Sequence, residues 1–426
     1  MIEQRRAIAQ TVGGATRPRK RSGHAPNSAQ STPSPAQRRG GGLRPGHAVR
    51  HPAVTGQDTL PGRARVATRT IRFPFEEPPR PGEVVEIAEG VLWVRLPLPF
   101  RLDHVNLYLI EDDGGWAAVD TGAHDALCTE AWAALLSGPL TGPLAGARLS
   151  RVIVTHFHPD HVGLAGWLCE RHGARLVTTA TCNDTTRLLL AGREAEAETD
   201  WVAFYIRGGM DPDLARRVGF YATGYDRYVT PLPDEVSLVG DGDVLSIGGR
   251  DFRALLTDGH AEDQLTLHCP DAGVYLAADQ VIARITPHVG VEPSGLDADP
   301  LGGFLSAARR LGSELPADVL VAPGHELPFR GLASRCDDLA LHHAGRCRAI
   351  LDACAQGPRS VAELLPVLFN RDLDGAAFSF AHGEARAHLN FLALRGLLRM
   401  SPDEDGIDRW TSLGEPGDLD TAMATL

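Results

Sequence analysis

Thr155-His156-Phe157-His158-Pro159-Asp160-His161-Val162-Gly163 carries four metal-capable side chains within six positions, directly after the apolar run Val152-Ile153-Val154. In extended backbone alternate side chains point the same way, so His156 and His158 share a face. Pro159 cannot continue a strand ladder and suits the first turn of a helix, which sets Asp160 and His161 on that turn. Imidazole and carboxylate together suit zinc and other first-row divalent ions. A cluster this dense is costly to hold behind an apolar strand unless something binds it.

Three further residues of the same chemical type stand at strand ends far along the chain. His260 and His325 each follow a glycine just after a strand-like run, and Asp279 follows the run Val274–Ala277. Glycine allows the sharp turn that brings such a side chain inward. The count matches two adjacent ions. One takes His156, His158 and His260; the other takes Asp160, His161 and His325; Asp279 bridges them. The expected cofactor is two Zn2+ per chain, with iron or manganese as alternatives.

The elements that must position these groups can be read from the pattern. Short apolar runs at 84–87, 91–96, 106–110, 116–119, 151–155 and 175–179 predict strands, and 125–137 and 162–172 predict helices. Strand signals resume at 235–238, 243–247, 252–256, 264–268, 274–277 and 319–321, with a helix over 301–311. Between the two sets, 183–230 breaks the rhythm as a helical insertion with many aromatics, among them Phe220 and Tyr221. Trp201, Phe204 and Tyr205 fall on one helical face, which packs on the body or closes as a lid over the cluster. Residues 336–400 read as a separate helical module and 401–426 as a flexible acidic tail.

Composition narrows the function classes. Lys20 is the only lysine, which removes Schiff-base, serine–lysine and P-loop chemistry from the folded part. Residues 1–70 hold 13 Lys and Arg against 2 Asp and Glu and read as a disordered basic arm. The remainder holds 29 against 52, and an acidic body repels phosphate backbones at long range. Nucleic acid is therefore a disfavoured partner, and a small molecule the expected one. No run approaches the roughly 20 apolar residues of a membrane-spanning helix. The seven cysteines are scattered, which fits free thiols in a reducing, cytoplasmic compartment.

His156-Phe157-His158-Pro159-Asp160-His161, followed by His260, Asp279 and His325, resembles the signature of the metallo-β-lactamase-fold superfamily over about 71–335. The resemblance implies an α/β fold, an αββα sandwich with the metals at one edge of two packed sheets. Asp120, in Asp120-Thr121-Gly122 at another strand end, matches the family's strand-end aspartate and orients a ligand histidine from behind. Arg348–Leu351, Gly357-Pro358, Glu363-Leu364 and Gly383-Glu384 ahead of Ala387-His388-Leu389 resemble the winged-helix domain appended to some of these hydrolases. Such a module packs on the body or makes a homodimer. The implied activity is dinuclear zinc hydrolysis of a small ester, thioester or lactone, with a metal-bridging hydroxide oriented by Asp160. A metal-dependent endoribonuclease and a mononuclear iron dioxygenase are the alternatives. Asn106, Arg284 and His288 are the candidate substrate contacts, and Arg284 and His288 at the rim favour an anionic substrate.

Overall fold

The structure is a computed structural model and describes residues 71–136, 144, 146–192, 194–219, 224–370, 373, 375–413 and 417–424. The basic arm expected over 1–70 lies outside them, as do Phe220 and Tyr221.

The first sheet starts as a meander of β1 (Val85–Ala88), β2 (Val91–Pro97), β3 (His104–Asp112) and β4 (Gly115–Val119), all antiparallel neighbours. After α1 (Ala126–Leu136) the chain adds β5 (Leu149–Ile153), parallel to β4. Two helices, α2 (Pro159–Val162) and α3 (Ala165–His172), lead to β6 (Arg175–Thr178), parallel to β5. The insertion follows as α4 (Ala180–Leu190), α5 (Glu194–Arg207) and α6 (Pro212–Gly219), and β7 (Val236–Leu238) completes the seven-stranded sheet.

The second sheet holds β8 (Val244–Ile247), β9 (Arg250–Thr257), β10 (Gln264–Cys269), β11 (Val274–Ala278) and β12 (Leu320–Pro323) in the order β12-β11-β10-β9-β8. Only β11 and β12 are parallel, because α7 (Pro300–Glu314) carries the chain back between them. Facing sides of the two sheets pack through Trp93, Tyr108, Ile153 and Val177 on one and Phe252, Leu265, Leu267 and Leu276 on the other. Helices α1 and α3 cover the outer face of the first sheet, and α7 that of the second, giving the expected αββα layering.

Residues 336–400, expected as a helical module, hold α8 (Leu332–Ala355), α9 (Val361–Leu368) and α10 (Gly375–Leu394), which share one core with the second sheet. That core runs unbroken from Leu255 and Tyr275 through Phe304 and Leu339 to Phe391 and Trp410. The tail, expected to be flexible over 401–426, holds regular structure. β13 (Leu398–Pro402) and β14 (Asp408–Ser412) form a hairpin, and α11 (Gly417–Ala424) packs behind it through buried Leu419. Trp410 is the one large apolar residue of β14; it enters the core, while Asp408 beside it is buried against Arg386 at 2.8 Å. One aromatic among polar neighbours carries too little periodicity to announce a strand. No helix among the described residues is long and apolar enough to cross a membrane.

Candidate metal centre

β9, β11 and β12 run in one direction, so His260, Asp279 and His325 leave the same edge of their sheet. The parallel pair β4 and β5 delivers Asp120 and His156 from the other sheet. The His158 carbonyl accepts from the N–H groups of His161 and Val162 at 2.9 and 3.0 Å, which closes the turn ahead of α2. The approach is close enough to exclude side chains at two points. A Cβ at Gly324 would overlap Asp279 Oδ1 and come 2.9 Å from His161 Cε1; Gly259, at φ +101°, would strike Phe304. Among the described residues the non-glycine positive-φ positions are Asp120, Asp263, Ala278 and Glu326, each a site residue or within three positions of one. Strain of this kind collects where a site must be held in one geometry.

The structure brings all seven expected ligands together. His156 Nε2 lies 2.9 Å from His158 Nδ1 and 3.3 Å from His260 Nε2. His325 Nε2 is 3.4 Å from Asp160 Oδ2 and 3.2 Å from Asp279 Oδ2, and His161 Nε2 is 3.4 Å from Asp279 Oδ1. Asp279 also reaches His260 Nε2 at 3.5 Å, so it stands between both groups.

Four of the imidazoles are aimed by the nitrogen that does not face the centre. His161 Nδ1 donates to Asp120 Oδ2 at 2.8 Å. Thr155 Oγ1 donates to the same carboxylate oxygen at 2.9 Å and accepts from His156 Nδ1 at 2.9 Å. His260 Nδ1 donates to the His288 carbonyl at 2.9 Å, and His325 Nδ1 to the His104 carbonyl at 2.7 Å. These partners assign the tautomer: each Nδ1 carries the proton, and each Nε2 lone pair faces inward. Asp120 thus orients one histidine of each group. The sequence reading missed Thr155, His104 and the His288 carbonyl, two of which act through main-chain oxygens that no side-chain pattern reveals.

Lone pairs facing one another are the best physical test of whether a cation fits. His156 Nε2 and His260 Nε2 oppose each other as two acceptors, while His161 Nε2 and Asp279 Oδ1 are buried without any hydrogen-bond partner. Nitrogens held about 2.0–2.1 Å from one tetrahedral ion stand roughly 3.3 Å apart, the spacing seen here. The residues fit a pair of divalent ions. Burial, then neighbouring imidazoles, pushes His156 well below the usual histidine range, and burial with His260 takes His158 down to about 3. Burial also opposes charge on His325, but Asp279 and Asp160 outweigh it and hold the imidazole up at about 10. His161 is raised in the same way, with burial overcome by Asp279, Asp160 and Asp120. The carboxylates thus draw positive charge to His161 and His325, charge that a bound cation would supply in place of protons. His156, His161 and His325 are fully buried, whereas the Asp160 side chain is 18% exposed and marks the open side.

The expected substrate contacts divide. Asn106 is buried on β3; its amide donates to the Pro323 and Glu326 carbonyls at 2.9 Å and accepts from Arg95, so it braces the His325 loop and does not line a pocket. Arg284 lies over the Phe73 ring at 4.4 Å, and its main-chain N–H donates to Glu326. His288 alone sits at the rim, half-buried, with its ring edge-on to Phe380 of α10 at 4.9 Å. Phe204 and Tyr205 pack on His382 of α10, and Tyr205 OH meets Ser379 Oγ at 2.7 Å, so this aromatic face docks the insertion on the C-terminal helices. The end of the insertion touches the ligand loop, through Tyr225 OH to the Phe157 carbonyl and Thr230 to the Gly163 carbonyl.

His343, Glu384 and His388 form another group with metal-ligand spacing. Arg346 already pairs with Glu384, and His343 Nδ1 meets His388 Nε2 at 3.0 Å as a satisfied hydrogen bond. A guanidinium in that position opposes a cation, and the group reads as a polar link between α8 and α10.

Residues 100–325, over half of the chain, match the model of the metallo-beta-lactamase superfamily. The chain belongs to this superfamily. Residues 347–413 match the metallo-beta-lactamase-like C-terminal domain, which takes in the β13–β14 hairpin. A beta-lactamase domain protein from Burkholderia ambifaria is 35% identical, with a TM-score of 0.74 over 80% of this chain and 98% of that one. A metallo-beta-lactamase family protein from Thermus thermophilus is 28% identical, with a TM-score of 0.63 over 77% of this chain and 100% of that one. Among curated proteins, a hydroxyacylglutathione hydrolase from Cereibacter sphaeroides is 26% identical over 48% of this chain and 60% of that protein's length. The two matched regions cover 100–325 and 347–413, and all seven residues of the candidate metal centre fall in the first.

Proposed function

We propose that this metallo-β-lactamase superfamily member is a dinuclear zinc hydrolase of small thioesters, esters or lactones. The observation that carries the reading is the paired ligand set: three imidazoles in one group, two imidazoles and Asp160 in the other, and Asp279 within 3.5 Å of both. His156, His158 and His260 would hold one ion and Asp160, His161 and His325 the second. Bound there, divalent metal lowers the pKa of water toward neutrality and polarises a carbonyl oxygen. The chain's own residues do the rest. Asp160, the most exposed carboxylate of the set, orients the attacking water and accepts its hydrogen bond. Asp279 offsets positive charge between the groups. Asp120 keeps His161 pointed inward, and through Thr155 it keeps His156 pointed inward as well.

A thioester heads the substrate classes because the curated relative's name describes an acylated thiol. The acidic body weighs against RNA. The helices α8–α10 with their hairpin fit a winged-helix module that serves here as packing. Zinc-loaded protein should be assayed against thioester, lactone and RNA panels, with metal content measured on the same sample. Turnover of a thioester or lactone, lost in Asp160→Ala, is the expected result. Cleavage of RNA alone would replace this reading by an endoribonuclease. One iron per chain with oxygen uptake would replace it by a dioxygenase.

A further inference from the structure

Phe380 is a large apolar side chain left 59% exposed, one residue removed from the ligand His260. Single exposed hydrophobics are common on protein surfaces and need a reason only where their position supplies one. Its ring meets the His288 ring edge-on at 4.9 Å, and the carbonyl of that same residue accepts from the Nδ1 of His260 at 2.9 Å. One residue therefore separates Phe380 from the centre. On the other flank the Phe157 ring lies 4.9 Å from His158, whose ring is 4.6 Å from that of His260. One phenyl ring thus packs on the ligand His158, and another on the residue whose carbonyl orients the ligand His260.

The helix turn that carries Phe380 is anchored. Ser379 before it bonds Tyr205, and His382 after it is clamped by Phe204 and Tyr205. Gly383 accepts the Val291 N–H at 3.1 Å, and farther along α10 Asn390 donates to the Leu296 and Ala298 carbonyls at 2.8 and 2.9 Å. The rim segment 288–298 is thus held along its length by the helix that carries Phe380. A rigid apolar group beside a reacting centre selects by shape and apolar contact. The one cation expected at this rim, Arg284, is stacked on Phe73 instead.

We infer that Phe380 is a specificity-determining residue that forms the acyl wall of the site, and that the preferred substrate carries an extended aliphatic or aryl acyl group with no charge on it. This rests on the hydrolase reading above for the reaction, and on geometry alone for the wall. The test uses full-length, zinc-loaded wild type, Phe380→Ala and Phe380→Leu. Acetyl and hexanoyl thioesters of N-acetylcysteamine are compared by kcat/KM, and acetate and hexanoate are compared by calorimetric binding. Wild type should prefer the six-carbon acyl group in both measurements. Phe380→Ala should lose about tenfold of that preference, in line with the worth of an apolar pocket contact, and Phe380→Leu should restore most of it. Zinc content should be the same in all three, since Phe380 touches no ligand directly. If the wild type hydrolyses no thioester, the hydrolase reading fails while carboxylate binding still tests the wall. Equal chain-length preference in wild type and Phe380→Ala, by turnover or by binding, overturns the inference.

Discussion

The two ligand groups are built to different standards of support. His161 and His325 are fully buried and anchored by Asp120 and the His104 carbonyl, both within the metallo-β-lactamase sandwich. His260 hangs on a carbonyl of the 288–298 segment, which α10 grips from the C-terminal domain. One half of the centre is fixed within the sandwich, whereas His260 of the other borrows rigidity from a helix far along the chain. The C-terminal domain is thereby part of the site.

Breaking either side should show this asymmetry. The largest effect is expected from Asp160→Ala, which removes the group that orients water: kcat should fall by about 10²–10⁴ with an unchanged circular dichroism spectrum. Retained turnover would remove Asp160 from the chemistry. Trp410→Ala comes next. It empties a core position shared by both domains and should cost about 3–5 kcal/mol, with a single unfolding transition for sandwich and C-terminal helices together. Two separate transitions would show that the domains stand apart. Asp120→Ala should weaken zinc by roughly 10–100-fold in a chelator competition, and should weaken both ions, because it orients a histidine of each group. Asn390→Ala is the mildest and the most selective. Two main-chain oxygens lose a donor, so stability should drop by about 1–3 kcal/mol. In the dinuclear reading proposed above, only one of the two ions should become easier to remove. Equal weakening of both would erase the contrast drawn here.

Much of the centre was legible because its chemistry is concentrated in side chains. His156 to His161 declare themselves by density, and His260, Asp279 and His325 by residue type at strand ends. The strand–helix alternation around them is strong enough to place two sheets. What stayed hidden acts through the backbone or through a partner distant in sequence. Asn106 has the chemistry of a substrate contact, yet it bridges the Pro323 and Glu326 carbonyls. Arg284 sits five residues after Asp279, yet its guanidinium is drawn onto Phe73. The hairpin at 398–412 offered one tryptophan and a run of acids, and its stability comes from α8, α9 and α10 and not from its own pattern.

The grip of α10 on the 288–298 segment also has a consequence for biosynthesis. A chain is made from its amino end, and domains begin to fold as they emerge. His156, His158, Asp160 and His161 are therefore translated long before the helix that steadies the rim. A nascent or prematurely terminated chain that ends before α10 contains every ligand and still lacks the support for His260. Completion of the centre is tied to completion of the polypeptide.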